Sequence, residues 1–225
     1  MTIQIPETAA RTQTLAIFGA TGGVGRAVVA RALSDGHRVI ALVRDPARLA
    51  ACDGLTVLQV DACDAAAVHR AVEGADAVLC CLGAPALSRS TVRSEGTRNI
   101  VTAMAATGVT RLVCVSVLGA AESHDILPFF LRYLFFPLYL RRAVADHEAQ
   151  ERIIAESDVD WTVVRPPHLT DGPGRGHYTH GFGNDAADLS MTISRADVAD
   201  FMLRQLSSPQ YSRAAAGISD RKPGA

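Results

Sequence analysis

The segment TLAIFGATGGVG, residues 14–25, decides the fold of this chain. A short apolar strand leads into Gly19, Gly22 and Gly25, and a helical pattern follows over residues 23–35. Glycine is needed where the backbone turns tightly and where phosphates approach its amides closely, and the helix amino terminus adds partial positive charge. The spacing alone is weak evidence. Because it lies between a first strand and a first helix, it predicts a dinucleotide-binding loop, with a ligand-free turn as the alternative.

Strand-like apolar runs alternate with helical patterns along the rest of the chain. Strands are predicted over residues 14–19, 38–43, 55–60, 76–81, 111–116 and 160–165. Helices are predicted over residues 23–35, 46–51, 64–73, 89–107, 141–157 and about 194–206. Most of the strand runs are apolar on both faces, so helices must cover both sides of the sheet. The pattern predicts an α/β fold: a single Rossmann-type, doubly wound, mostly parallel sheet.

The predicted helix starts carry residues that commonly cap helices. Asp45 precedes Pro46, which suits the first helical position, and Asp64 precedes the third helical pattern. Ser194 and Asp197 have the spacing of a capping box. These residues fix where we expect the helices to begin.

The composition indicates one globular domain. With 225 residues, 48% of them hydrophobic, the chain is long enough for a substantial core. Its net charge of -1 provides no basic field for nucleic acid, which we do not expect as a partner. The five cysteines lack CxxC spacing and favour a reducing, cytoplasmic location. We predict a polar leader over residues 1–13, the domain over 14–210 and a loose carboxyl-terminal tail over 211–225.

The end of the second strand indicates which dinucleotide is bound. An acidic residue is usual there in NAD sites, but this chain has Arg44, with Arg48 one helical turn later. Two guanidinium groups suit a 2′-phosphate and favour NADP(H), although two solvated surface arginines are the alternative. Asp61 follows the third strand, where it either fixes the adenine edge or forms a turn.

Five segments together resemble the atypical short-chain dehydrogenase/reductase family, and within it the biliverdin reductase B or flavin reductase (NADPH) group. They are IFGATGGVG, LVRDPARL, CLGAP, SEGTRNIVTAMAATGV and VVRPPHL. The similarity covers about residues 14–120 and 144–206, whereas residues 121–143 depart from the family's pattern. The resemblance implies an NAD(P)-binding Rossmann fold, an NADP(H) cofactor and reductase activity.

The resemblance also implies a set of cofactor contacts, carried over position by position. The set, with Gly25 of the glycine motif, is Gly19, Thr21, Gly22, Gly23, Val24, Gly25, Arg44, Arg48, Asp61, Ala62, Leu82, Gly83, Ser116, Pro167, His168 and Leu169. The same resemblance implies that His147 lies at the edge of the substrate site.

The proton donor of ordinary short-chain dehydrogenases is missing from this sequence. Those enzymes protonate a carbonyl with a Tyr-x-x-x-Lys pair. Here Pro137 stands at the lysine position after Tyr133, and Ala143 stands there after Tyr139. Hydride transfer to an acceptor that needs little help from a protein acid remains open, such as a flavin, a quinone or a biliverdin-like tetrapyrrole.

Ser116 and His147 are the predicted catalytic residues. Ser116 ends the fifth strand and is expected to orient the nicotinamide or the acceptor, unless its hydroxyl has only local backbone partners. His147 either contacts the substrate or faces solvent. We predict an NADPH-dependent oxidoreductase that transfers hydride to a planar aromatic small-molecule acceptor. The alternative is a non-catalytic, NADP(H)-sensing regulatory protein of the NmrA-like kind, which the missing Tyr/Lys pair fits equally.

Two segments, residues 120–143 and 166–190, are expected to border the substrate. The second contains His168, His177 and His180, whose spacing matches no usual metal-ligand pattern, so no metal is predicted. Its glycines favour a mobile segment that closes over the nicotinamide end.

The first of these segments contains LPFFLRYLFFPLYL, residues 127–140, with six of the chain's twelve aromatic residues. It is shorter than the roughly 18 to 20 residues of a membrane span, and Arg132 lies in its middle, so no integral membrane segment is predicted. Pro128 and Pro137 predict a broken helix or loop. We expect a pocket wall or lid for the acceptor, while a homodimer contact and a peripheral membrane contact are the other interpretations.

Overall fold

The computed structural model describes residues 12–85, 87–127, 129–182 and 188–222, without the side chains of residues 131 and 135–137. Residues 1–11 of the predicted leader and residues 223–225 of the predicted tail lie outside this description, as does Pro128.

An eight-stranded sheet forms the middle layer of the described chain. In chain order the strands are β1 (Thr14–Phe18), β2 (Arg38–Val43), β3 (Leu55–Gln59), β4 (Ala77–Cys80), β5 (Arg111–Val115), β6 (Asp160–Arg165), β7 (His168–Thr170), β8 (Thr179–His180), β9 (Thr192–Ser194) and β10 (Ala214–Ser219). The sheet order is β3-β2-β1-β4-β5-β6-β10-β8, parallel except for the β10–β8 pair, and β7 pairs with β9 separately. Successive strands are added on one side of β1 up to β3 and on its other side from β4 onwards, and this switch creates the crevice where ligands bind in such sheets.

Helices cover both faces of this sheet. They are α1 (Gly23–Ser34), α2 (Ala65–Val72), α3 (Val92–Thr107), α4 (Arg141–Ala155) and α5 (Arg195–Arg204), together with 3₁₀ turns at Pro46–Arg48 and Ala121–Ile126 and a π-helix at Leu131–Leu140. One core lies under α1 and α5 and includes Val28 and Phe201. The other lies under α2, α3 and α4 and includes Met104 and Ile154. The predicted doubly wound α/β fold is confirmed, and each of the six predicted strands occurs within one residue of its predicted bounds.

The predicted caps are made by the expected side chains. Asp45 accepts a hydrogen bond from the amide of Ala47, Asp64 from that of Ala67, and Ser194 from that of Asp197. The helix predicted over residues 46–51 is nevertheless wrong, because the backbone becomes extended at Leu49 after a single 3₁₀ turn.

The prediction of a loose tail over residues 211–225 is also wrong. Residues 214–219 form β10, which pairs with β6, and Ala216 and Ile218 are buried. The sequence AAAGIS lacks the β-branched run that marks the other strands, so its pattern did not indicate a strand. Small residues suit this position, because a Cβ on Gly217 would lie 2.8 Å from the ring of Phe182.

The aromatic segment is helical, which corrects the prediction of a broken helix or loop. The π-helix Leu131–Leu140 runs through Pro137 and continues directly into α4. Proline removes one helical hydrogen bond, and the chain here adopts the wider π form and does not break.

Candidate functional site

The glycine loop is shaped by close backbone contacts at the end of β1. Gly19 has a φ of +72°, and a Cβ there would lie 2.3 Å from the carbonyl oxygen of Cys81. A Cβ on Gly25 would lie 2.2 Å from the carbonyl oxygen of Gly19. Glycine at these two positions is therefore required by packing between β1, β4 and α1.

A cavity of about 440 Å³ opens at the carboxyl ends of the parallel strands. The structure brings fourteen of the predicted site residues to its wall: Gly19, Thr21, Gly22, Gly23, Val24, Arg44, Arg48, Asp61, Ala62, Leu82, Gly83, Ser116, His147 and Leu169. Gly25, Pro167 and His168 are not among the lining residues. Gly25 packs against the backbone of Gly19 on the side away from the cavity, and His168 is exposed on β7.

The amino terminus of α1 is suited to an anion. Its first residues, Gly23 and Val24, line the cavity, and no side chain caps the helix at Gly22. Uncapped amides at a helix amino terminus hold phosphate groups well, because they donate hydrogen bonds and carry the positive end of the helix dipole.

Arg44 and Arg48 stand at the end of the cavity formed by β2. Both are exposed, and within the described residues neither side chain makes a hydrogen bond or an ion pair. The backbone of Arg48 is held by a bond from Arg26 Nη2 to its carbonyl, at 2.9 Å. Both guanidinium groups are thus available to a 2′-phosphate, and nothing in their contacts contradicts that prediction.

Asp61 also lines the cavity, and its carboxylate has a local role. Oδ1 accepts a hydrogen bond from the amide of Cys63 at 3.0 Å. This is the turn-forming arrangement that the sequence left open. A contact between Asp61 and adenine remains a prediction.

Arg195 is a cavity residue that the sequence analysis missed. Its Nε lies close to Gly23, since a Cβ on that glycine would be 2.4 Å away, and its Nη1 donates to Asp171 at 2.6 Å. Arg195 directly follows Ser194, which caps α5. Nothing in the sequence at this position indicated that the side chain would lie beside the glycine loop. The absence of a side chain on Gly23 therefore leaves the space that Arg195 occupies beside the anion-binding end of α1.

Ser116 is buried at the end of β5, and its hydroxyl is engaged. Oγ donates to Glu151 Oε1 at 2.5 Å. Arg165 donates to both carboxyl oxygens of Glu151, with Nε 3.1 Å from Oε1 and Nη2 2.6 Å from Oε2. Arg165 also donates to Glu122 at 2.6 Å. Desolvation disfavours the charged guanidinium, but its bonds to these two glutamates raise the pKa of Arg165 above its usual value.

His147 lies on α4 beside Ser116 and lines the cavity, while its contact with the substrate stays a prediction. Its Nδ1 is 3.4 Å from Ser116 Oγ. Burial, together with the nearby charge of Arg93, lowers the pKa of His147 to about 3, so the ring is neutral at physiological pH. Because the Ser116 hydroxyl donates to Glu151, Nδ1 is assigned as the donor in its contact with Ser116 Oγ.

Arg93 and Asp146 form a second missed pair beside the cavity. Arg93 lines it, and Asp146 accepts from the backbone amides of Arg93 and Ser94 and from the Ser94 hydroxyl. The carboxylate therefore caps α3 from the neighbouring helix α4. This bond network fixes α4, and with it His147, against α3.

The segment predicted to close over the nicotinamide is largely tied to the domain. Asp197 accepts from the amides of Arg175 and Gly176, and the Tyr178 hydroxyl donates to Asp200. β8 pairs with β10, and His180 contacts the ring of Tyr211. These bonds argue against a mobile lid over residues 175–180, and residues 183–187 lie outside the description.

The described ranges contain neither a cluster of metal-ligating side chains nor a membrane-spanning helix. There, no three His, Cys, Asp or Glu side chains are grouped closely enough to hold a metal ion. In the same ranges, none of the helices combines the length and the apolar character that crossing a membrane requires.

Comparison with known proteins identifies the family. A family described as NAD(P)H-binding matches residues 19–209. Reductase pytE of Aspergillus terreus is 30% identical over 86% of this chain and 91% of its own length. Quinone oxidoreductase 2 of Escherichia coli is 31% identical over 67% of this chain, which spans about half of that protein, 47% of its length.

Solved structures show the same fold. ChuY, an anaerobilin reductase from Escherichia coli O157:H7, superposes with a TM-score of 0.77 and 23% identity, covering 92% of this chain and 97% of that one. The predicted NAD(P)H cofactor and the resemblance to NAD(P)-dependent reductases are confirmed by these findings. The chain belongs to the NAD(P)H-binding family and is similar to its reductases.

Proposed function

We propose that this protein is an NADPH-dependent reductase that transfers hydride to a planar aromatic acceptor without a protein acid. The acceptor classes are a flavin, a quinone or a biliverdin-like tetrapyrrole. The observation that carries the proposal is the bond from Ser116 Oγ to Glu151, because it engages the one hydrogen that the Ser116 hydroxyl could donate to a substrate.

The residues at the cavity fit the dinucleotide. The uncapped amino terminus of α1 suits the pyrophosphate, with Arg195 beside Gly23 as an additional cation. Arg44 and Arg48 suit the 2′-phosphate that distinguishes NADPH from NADH. When bound there, the cofactor supplies the hydride.

Ser116 acts in this site as a hydrogen-bond acceptor. Its hydrogen is directed at Glu151, so only its oxygen lone pairs are available to a ligand. Such an oxygen accepts from an N–H group, for example a carboxamide, and repels the negative oxygen that forms when a ketone is reduced. Ser116 therefore orients a ligand N–H and does not stabilise an alkoxide.

His147 is equally unsuited to supply a proton. With a pKa of about 3 the ring is neutral, and a neutral imidazole is a poor acid at physiological pH. Cys81, which also lines the cavity, is no better, because burial raises the pKa of its thiol well above the usual value. An acceptor that delocalises the incoming electron pair over an aromatic system can take its proton from water instead.

Two of the similar proteins carry names that fit this class of acceptor. One is named as a quinone oxidoreductase, and ChuY is described as an anaerobilin reductase. These names support the choice of planar acceptors, while the acceptor of the present protein is part of the proposal.

The test is NADPH oxidation with riboflavin, FMN, quinones and biliverdin offered in turn, alongside direct measurement of NADPH and NADH binding. We expect turnover with at least one of these acceptors. NADPH binding without turnover on any of them would overturn the proposal in favour of a nucleotide-sensing protein.

A further inference from the structure

A large apolar surface lies outside the cavity. Along residues 129–140 the side chains of Phe129, Phe130, Tyr133, Leu134, Leu138 and Tyr139 are between 48% and 78% exposed. We call these six side chains the aromatic patch. The rings of Phe129 and Tyr133 contact each other, with centroids 4.8 Å apart. Contiguous apolar surface of this kind marks a site of interaction with something outside the chain.

The aromatic patch does not form a wall of the described cavity. No described side chain of residues 129–140 is among the cavity's lining residues. This finding goes against the pocket-wall prediction and leaves an external partner. The patch is nevertheless linked to the site, because the π-helix continues into α4, the helix that carries His147.

Positive charge flanks the aromatic patch. Residues 126–145 include Arg132, Arg141 and Arg142 but no acidic residue. Arg132 pairs with Asp125 at 2.5 Å and lies over the ring of Tyr133. Arg141 and Arg142 are exposed, and neither has a side-chain partner among the described residues. Their charges are available to an anionic partner.

We infer that the aromatic patch and its arginines dock on an anionic membrane surface. Aromatic and leucine side chains insert at the boundary between headgroups and acyl chains, while arginines contact the lipid phosphates. A two-fold contact through the patch between copies of this chain is the competing outcome that the experiment distinguishes.

The experiment is co-sedimentation of the full chain with lipid vesicles. Vesicles of phosphatidylcholine alone are compared with vesicles containing about one third phosphatidylglycerol, each at low and high salt. We expect binding to the anionic vesicles that weakens with salt. Arg141→Gln with Arg142→Gln should lower the partition coefficient about fivefold for each arginine. Phe129→Ser with Leu138→Ser should lower it more than about tenfold.

Matched control variants distinguish docking through the patch from non-specific electrostatic or hydrophobic binding to vesicles. Arg38→Gln with Arg70→Gln removes two exposed arginines elsewhere, and Leu87→Ser removes a leucine that is 74% exposed outside the patch. Both controls should bind vesicles like the wild type. Absence of vesicle binding by the wild type, or losses in the controls as large as in the patch variants, would overturn the inference. The inference would also be overturned if the wild type were a dimer, if Phe129→Ser with Leu138→Ser made it a monomer, and if vesicles did not change this equilibrium. None of these outcomes depends on the acceptor.

Discussion

The cofactor cavity and the aromatic patch both concentrate unusual residues, but only the cavity is completed by the chain itself. At the cavity, glycines, arginines and a serine come from the ends of different strands, and the glycines and the serine meet partners within the domain. At the patch, neighbouring residues of one helix expose their rings. A polar site can thus be identified from the hydrogen bonds that its residues make within the chain. An exposed apolar surface makes no such bonds, and its role depends on what binds to it from outside.

The largest effect is expected at Gly19, where the cavity depends on backbone packing. Gly74 has a similar φ of +79° but open space around it, so Gly74→Ala tests backbone strain alone, at about 1 to 2 kcal/mol. Gly19→Ala adds the contact with the Cys81 carbonyl and should cost about 3 kcal/mol or more. Urea unfolding measures both values. Equal losses for the two variants would contradict the packing role of Gly19.

The contrast between the two regions also explains what the sequence could predict. The glycine spacing and the apolar strand runs depend on local chemistry, so the fold and most of the cavity wall could be derived from them. Arg195 and Glu151 could not, because each meets its partners through long-range packing. β10 was missed because its alanines carry little strand preference. The exposure of the patch was not predictable either, since an apolar run in the sequence does not say which way it faces.

A smaller effect is expected at the nucleotide end of the cavity. A charged hydrogen bond to the 2′-phosphate contributes about 1.5 to 3 kcal/mol, so Arg44→Ala should weaken NADPH binding about 10- to 100-fold and leave NADH binding nearly unchanged. Arg70→Ala, an exposed arginine on α2 outside the cavity, is the control. Titration with both nucleotides measures the effect, and equal losses for NADPH and NADH would show that Arg44 supports the fold instead.

The next smaller effect is expected on turnover when the hydrogen bond between Ser116 and Glu151 is removed. Ser116→Ala and Glu151→Gln should each lower turnover about tenfold with little change in NADPH affinity, and the double variant should be no worse than either. Glu122→Gln removes the other carboxylate on Arg165 without touching Ser116, so it controls for loss of the ion pair. A further loss from Glu151→Gln in the Ser116→Ala background would mean that Glu151 does not act through the serine.

The smallest effect is expected on the stability of the patch. Phe129 is 78% exposed, so Phe129→Ser should change the free energy of unfolding by no more than about 0.5 kcal/mol. Phe18 is 1% exposed in the core beside the cavity, so Phe18→Ser serves as the buried-ring control and should cost as much as Gly19→Ala, about 3 to 5 kcal/mol. A comparable loss for Phe129→Ser would place its ring in a core and would remove the distinction between the two regions.

The central claim is that the bound cofactor transfers hydride only to acceptors that need no proton from a protein acid. The most direct test is NADPH oxidation with two acceptors of similar size and shape, naphthoquinone and tetralone, at equal concentration. The quinone accepts a hydride into a delocalised system, whereas the ketone needs a proton at the developing alkoxide. We predict turnover with naphthoquinone and none with tetralone. Reduction of tetralone at a comparable rate would show that the site does supply a proton, and would contradict the role assigned to Ser116 and Glu151.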